Sequence, residues 1–144
     1  MFSGTWELNK TKSNTDLIQG LTSHILKLLI NDNVIKIEGE TVLPDREPLT
    51  GVKTYLSNGG TSMTKNGDKV ETISCSFSED KDSFAITTRL TYPYRETVRK
   101  ATRVQTFSLT DNGKTLIVNY NDSLPAGSQT PVDERNFNLV YDKK

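Results

Sequence analysis

Two arginines stand at spacings that would turn them onto an apolar face of a sheet. Arg103 alternates with Gln105, Phe107 and Leu109, and Arg135 with Phe137, Leu139 and Tyr141. Side chains two apart in a strand share a face, so an inward Phe107 and Leu109 carry Arg103 inward with them. A guanidinium is a rigid fork of donors matched to a carboxylate. Leaving it in an apolar interior without an anion is costly. An inward Arg therefore implies a carboxylate ligand, water or an internal acid. Tyr55, Tyr92 and Gln105 are the candidates for completing the polar end of such a site, so the candidate ligand-binding set is Arg103, Arg135, Gln105, Tyr55 and Tyr92.

Other chemistry finds little support. His24 is the only histidine, and no His, Cys or carboxylate spacing supplies a metal site. No Gly-x-Ser-x-Gly elbow is present to activate a serine. His24 reads as a structural residue near the mouth of a barrel, at a strand start. Gly59-Gly60 lies between strands and not before a helix, so it is a turn and not a phosphate cradle. Cys75, the lone cysteine, excludes an intrachain disulfide and reads as a small buried hydrophobe. The run Arg89, Arg95, Arg99, Lys100 and Arg103 is basic, but its plainer reading is a solvated hairpin tip balanced by Glu96. No catalytic residue, metal or cofactor is expected.

These residues must be positioned by a chain of 144 residues, the size of one domain with its own core. Hydrophobic content is 33%, low enough to suit a sheet with one wet face. Zero net charge and a pI near 6.6 argue against nucleic acid, which demands a basic footprint. No apolar run approaches the roughly 20 residues of a membrane-spanning helix. Met1 is followed at once by strand sequence, with no signal peptide between. The protein is expected to be cytoplasmic, or periplasmic or secreted if a leader has been removed.

Strand and turn signals recur at short intervals. Phe2, Trp6 and Leu8 mark a first strand over Ser3 to Asn9. Lys10 to Gly20 breaks the alternation and predicts one short helix, with Ser13 as a weak cap to Asp16 and an apolar face of Leu17, Ile18 and Leu21. Strands follow over Thr22 to Ile30 and Val34 to Thr41, then Leu49 to Leu56 and Thr61 to Lys65, a pair joined at Ser57-Asn58-Gly59-Gly60. Asn66-Gly67 is the strongest hairpin signal, leading into Val70 to Ser78, Ser83 to Tyr92, Arg99 to Thr110, Thr115 to Asn121 and Asp133 to Tyr141. About ten strands joined by short turns must pair antiparallel, because parallel pairing needs long crossovers. If the first and last strands meet, the edges disappear. The fold expected is an all-β, antiparallel up-and-down barrel of about 8–10 strands, one domain over residues 1–144, with an open two-sheet sandwich as the alternative.

Three segments carry a resemblance. Phe2-Ser3-Gly4-Thr5-Trp6-Glu7-Leu8-Asn9-Lys10-Thr11-Lys12-Ser13 resembles the Gly-x-Trp opening of bacterial lipocalin-like domains. The stretch Phe107 to Val118 looks like their penultimate hairpin, and Phe137 to Lys144 like their last strand. The resemblance implies a lipocalin-like calycin barrel, frequent on exported bacterial proteins, and no catalytic set. In lipocalins the Gly-x-Trp tryptophan closes one barrel end and a late Arg stacks over it. Trp6 matches the first, and Arg135 is the late-strand Arg available for the second, a contact contributing roughly 0.5–2 kcal/mol. In fatty-acid-binding proteins, inward Arg residues on late strands, with a nearby Tyr, hold the ligand carboxylate. Arg103 and Arg135 resemble that pair in placement, although Phe137 stands where those proteins carry Tyr.

The functional expectation is a non-enzymatic barrel that binds a small hydrophobic or amphipathic molecule, a lipid or fatty acid, in its lumen. The rival is a structural or interaction domain of the cell envelope, its barrel filled by its own side chains and binding nothing. A barrel-mouth isomerase or hydrolase has no motif behind it. Interior volume separates the first two: an apolar-lined cavity of a few hundred cubic ångströms favours binding.

Overall fold

The apolar–polar alternation becomes strand in ten places: β1 (Gly4–Leu8), β2 (Ser23–Asn31), β3 (Val34–Val42), β4 (Leu49–Leu56), β5 (Asn58–Asn66), β6 (Lys69–Phe77), β7 (Ser83–Tyr94), β8 (Thr97–Thr110), β9 (Thr115–Ser123) and β10 (Arg135–Lys143). The structure is a computed structural model that describes residues 1–14, 20–123 and 135–144, with Arg135 described in its backbone alone. The strands form one antiparallel sheet in the order β4-β3-β2-β1-β10-β9-β8-β7-β6-β5, curled into a nearly closed barrel. First and last strands do meet, through Trp6↔Lys143 and Leu8↔Tyr141.

The opening lies elsewhere. Leu49 to Leu56 and Thr61 to Lys65 were expected to pair as a hairpin, and they do not: β4 and β5, which contain them, are the two edges of the sheet. Only Ser57 separates them, too short a link for even a two-residue hairpin loop. Its N–H donates to the Asn33 carbonyl oxygen at 2.8 Å, tying the corner to the β2–β3 turn. Asn58 Oδ1 then accepts from Gly60 N–H at 2.8 Å, and Gly59 takes φ +81°. The Ser57-Asn58-Gly59-Gly60 stretch thus turns the chain away from β4 and towards β6, with an irregular register between Asn58 and Thr61.

Several turns follow local chemistry closely. Asn66 pairs directly with Lys69, so the loop residues are Gly67 and Asp68. Gly67 carries the positive φ of +63°. That is the sign pattern of a turn with Gly first, in place of the Asn-Gly pattern expected. Between β8 and β9 three consecutive residues, Asp111, Asn112 and Gly113, are left-handed.

The helix expected between Lys10 and Gly20 falls, from residue 15 to 19, outside the described residues, and so do Asp16, Leu17 and Ile18. Ser13 is described, and it staples. Its hydroxyl donates to the Asn9 carbonyl oxygen at 2.7 Å and accepts from Val140 N–H at 2.8 Å. The segment after β1 is thereby pinned to β10.

One end of the barrel is closed by aromatics. Phe2 meets Phe84 edge-on at 5.0 Å, and Phe84 stacks on Phe107 at 4.5 Å between centroids. Trp6 is fully buried, and its indole N–H donates to the Phe2 carbonyl oxygen at 2.9 Å. Both groups are polar and enclosed, so each needs the other. Leu28, Ile35, Leu116, Val118 and Tyr141 complete the plug. The cation over Trp6 is Lys143, its ammonium 5.4 Å from the ring. Arg135, the residue expected there, opens β10 opposite Asp122, and its side chain lies outside the described residues. It stands eight positions from Lys143, which at about 3.3 Å per residue is most of the strand's length.

Candidate functional site

Beyond the aromatic plug the barrel is hollow. A cavity of about 490 Å³ is lined by seven strands, β2, β3, β4, β6, β7, β8 and β9. Leu26, Ile37, Ile73, Ile86 and Phe107 give it an apolar wall, each inward by the alternation of its strand. On β3 and β4, Gly39 and Gly51 stand directly opposite one another and both line the cavity. Neither has a positive φ, and an added Cβ at Gly51 would meet nothing within 4 Å. These two glycines contribute space, not backbone freedom.

Three of the expected site residues, Arg103, Gln105 and Tyr55, converge on this one cavity. Tyr92 lies opposite Arg99 on the long β7–β8 hairpin and is not on the cavity wall. Arg135 pairs in register with Asp122, and its side chain lies outside the described residues. Higher on the same hairpin, Arg99 stacks on Tyr94 at 3.6 Å.

Arg103 has found the internal acid. Its Nε and Nη2 donate to the two carboxylate oxygens of Asp122, at 2.8 and 2.7 Å. The two residues face each other directly across β8 and β9, so the sheet register itself holds the fork on the carboxylate. Because Arg103 is half exposed, the pair is worth little to stability. Its consequence is electrostatic: the guanidinium charge is already matched.

Sequence reasoning did not single out Tyr120, Glu71 or Lys53, and it assigned His24 a structural part. All four line the cavity. Tyr120 alternates with Val118 and Leu116 on β9, the same signal that marked Arg103, and it stands directly opposite Gln105 on β8. Its ring stacks on Phe137 at 4.6 Å. Burial pushes the Tyr120 and Tyr55 hydroxyls above the ordinary tyrosine range, so both are neutral donors.

His24 Nδ1 lies 2.9 Å from the Tyr141 hydroxyl. Desolvation lowers the imidazole's pKa, so the ring is neutral near physiological pH. Cys75 is buried, its thiol pushed up to about 11 by the same desolvation, and it is unsuited to nucleophilic work. Among the described residues, no three His, Cys, Asp or Glu side chains gather to hold a metal ion. No helix among them is long and apolar enough to cross a membrane. The chain matches no protein-family model, and no curated protein matches its sequence.

Proposed function

We propose that this chain is a non-enzymatic binding protein that takes a small amphipathic molecule into its lumen. The observation that carries the reading is the cavity itself: about 490 Å³, lined by apolar side chains such as Leu26, Ile37, Ile73 and Ile86 together with polar ones that include His24, Tyr55, Arg103, Gln105 and Tyr120. Ligand sites have that size and that mixture, with apolar area supplying affinity and placed polar groups supplying orientation. A plugged barrel would carry its aromatic packing through to both ends. Here the packing stops halfway. The resemblance of the Gly-x-Trp opening, the Phe107 to Val118 hairpin and the last strand to bacterial lipocalin-like domains supports the same reading.

The test is saturable binding of a neutral, environment-sensitive dye such as Nile red, compared with a variant whose lumen is filled. Gly51→Leu adds a side chain where the cavity now is and where no atom obstructs the first carbon. Wild type is expected to bind with a blue-shifted, saturating emission, and Gly51→Leu to lose it while keeping its thermal midpoint. Equal dye binding by both proteins would place the dye elsewhere and end the lumen reading. The unpaired edges of β4 and β5, with Val52, Leu56 and Met63 exposed along them, would then favour a protein-interaction role.

A further inference from the structure

The charges around the cavity cancel. Among the described residues, Lys53 and Glu71 both border it at the β4–β5 seam, one of each sign. Arg103 is the other ion on its wall, and both oxygens of Asp122 already hold it. For a fatty acid to use Arg103, its carboxylate must displace or share an existing bidentate partner held by the register. A ligand anion at Arg103 is dehydrated without gaining an unmatched cation in return. Lys53, the other cation on the lining among the described residues, is exposed to water and shares the rim with Glu71 of opposite sign.

An uncommitted donor stands on a different wall. His24 lies on β2, four steps round the sheet from Arg103 on β8. Its tautomer follows from Tyr141, whose hydroxyl is fully enclosed and has His24 as its one partner among the described residues. If Nδ1 carried the proton, the Tyr141 O–H would be a buried donor without an acceptor. Tyr141 therefore donates to Nδ1, and the neutral ring keeps its proton on Nε2. Nε2 makes no hydrogen bond, and no buried side-chain nitrogen or oxygen among the described residues lacks a partner, so this atom is open to the cavity. It faces the Gly39 position, where a Cβ would stand 3.8 Å away. Across the strand pair Gly51 widens the same gap.

We infer that the lumen's ligand is a neutral amphiphile whose polar end is a hydrogen-bond acceptor, such as an alcohol, ester or amide, and that it docks on His24 Nε2–H in the space left by Gly39 and Gly51. The inference rests on the lumen-binding reading and assigns its ligand class. Tyr141 is the positioning residue; it acts through His24 by holding the tautomer. The apolar wall of Leu26, Ile37 and Ile86 takes the tail.

Dodecanol and dodecanoate, equal in chain length but neutral and anionic respectively near neutral pH, make the test. Each is titrated against the Nile red complex, with the His24 ring nitrogens followed by ¹⁵N NMR. His24 is the only histidine, so its signals need no assignment. The free protein is expected to show the Nε2–H tautomer. Dodecanol should displace the dye at least about tenfold more tightly than dodecanoate, a difference of about 1.4 kcal/mol, and should move the Nε2 signal. The paired variant His24→Phe/Tyr141→Phe removes donor and partner together, leaving no orphaned hydroxyl. It should lose the preference for dodecanol while still binding Nile red. If that variant does not fold, the wild-type NMR signal and ligand preference decide alone. A free-state Nδ1–H tautomer, a still Nε2 signal on dodecanol binding, or tighter dodecanoate binding that is lost in Arg103→Met overturns the inference and leaves the lumen reading standing. No saturable binding by any of the three probes overturns both.

Discussion

The two halves of this barrel belong to one sheet and reach opposite solutions. Around Trp6 the inward positions hold Phe2, Leu28, Phe84, Leu116 and Tyr141, and large side chains meet in the middle. Towards β3, β4 and β6 the inward positions hold Gly39, Gly51, Lys53 and Glu71, and the middle stays empty. A ten-stranded barrel is wide enough to be either filled or hollow. Side-chain volume at each inward position decides which. The filled half includes the β1–β10 junction that closes the sheet; the hollow half includes the one seam left unpaired. Stability is thus concentrated around the Trp6 core, and the hollow lumen lies beyond it, while a separate surface pocket of about 560 Å³ lies outside the plug beside Phe2 and Phe77.

Truncation should expose that division most sharply. Trp6→Ala is expected to cost about 3–5 kcal/mol, because the plug around it is complete and collapses only partly into the void. Ile37→Ala, on the half-buried cavity wall, should cost about half as much, since it removes fewer contacts beside space already present. Urea melts of the two variants check the ordering. Equal losses would mean that the hollow half is packed in solution, and the comparison would fail.

A smaller effect should appear at the turns of the closed end. Gly113 has φ +80°, a conformation in which a β-branched side chain is strained. Gly113→Val is expected to cost about 1–2 kcal/mol. Asp80→Ala is a gentler control, though not an empty one, since the Asp80 carboxylate accepts from the Ser78 hydroxyl at 2.8 Å. Similar thermal shifts for the two would contradict the left-handed turn.

The smallest expected effect is a pH step from the cavity wall. Burial places the folded-state pKa of His24 below its ordinary 6.5. Between those two values the unfolded chain binds more protons than the folded one. Stability should therefore fall as pH drops below about 6.5 and level off beneath the folded pKa. The His24→Phe/Tyr141→Phe variant should lack this step. Denaturant midpoints between neutrality and the onset of carboxylate titration would detect it. An identical slope in both proteins would mean that His24 titrates as if exposed.

Much of the architecture was legible because it is local. Period-two alternation located every strand to within a few residues, from Phe2, Trp6 and Leu8 at the start to Phe137, Leu139 and Tyr141 at the end. It also placed Arg103 and Gln105 on the face they share with Phe107. Tyr92 shows where the same rule stops. Alternation assigns a face but not a height, and β7 runs past the cavity before Tyr92 is reached. Tyr120 carried the alternation signal and went unread, and nothing local marked Glu71 or Lys53 as neighbours of the site.

What the sequence determined by itself is therefore the strand inventory, the antiparallel pairing of most neighbours, the place of the turn at Gly67 and the face on which the apolar residues of each strand lie. Each follows from backbone geometry and burial preference acting over a few positions. Tertiary structure alone decided three things. It put the seam between β4 and β5, where a single residue, Ser57, tied to Asn33, leaves no room for a hairpin. It set Asp122 against Arg103, which takes a β8–β9 register accurate to one residue. It brought Tyr141 to His24 from 117 positions away, and with that contact chose the nitrogen that faces the lumen. All three depend on long-range closure, in which hydrogen-bond register and the summed volume of distant side chains must agree at once, and no stretch of chain read alone contains that condition.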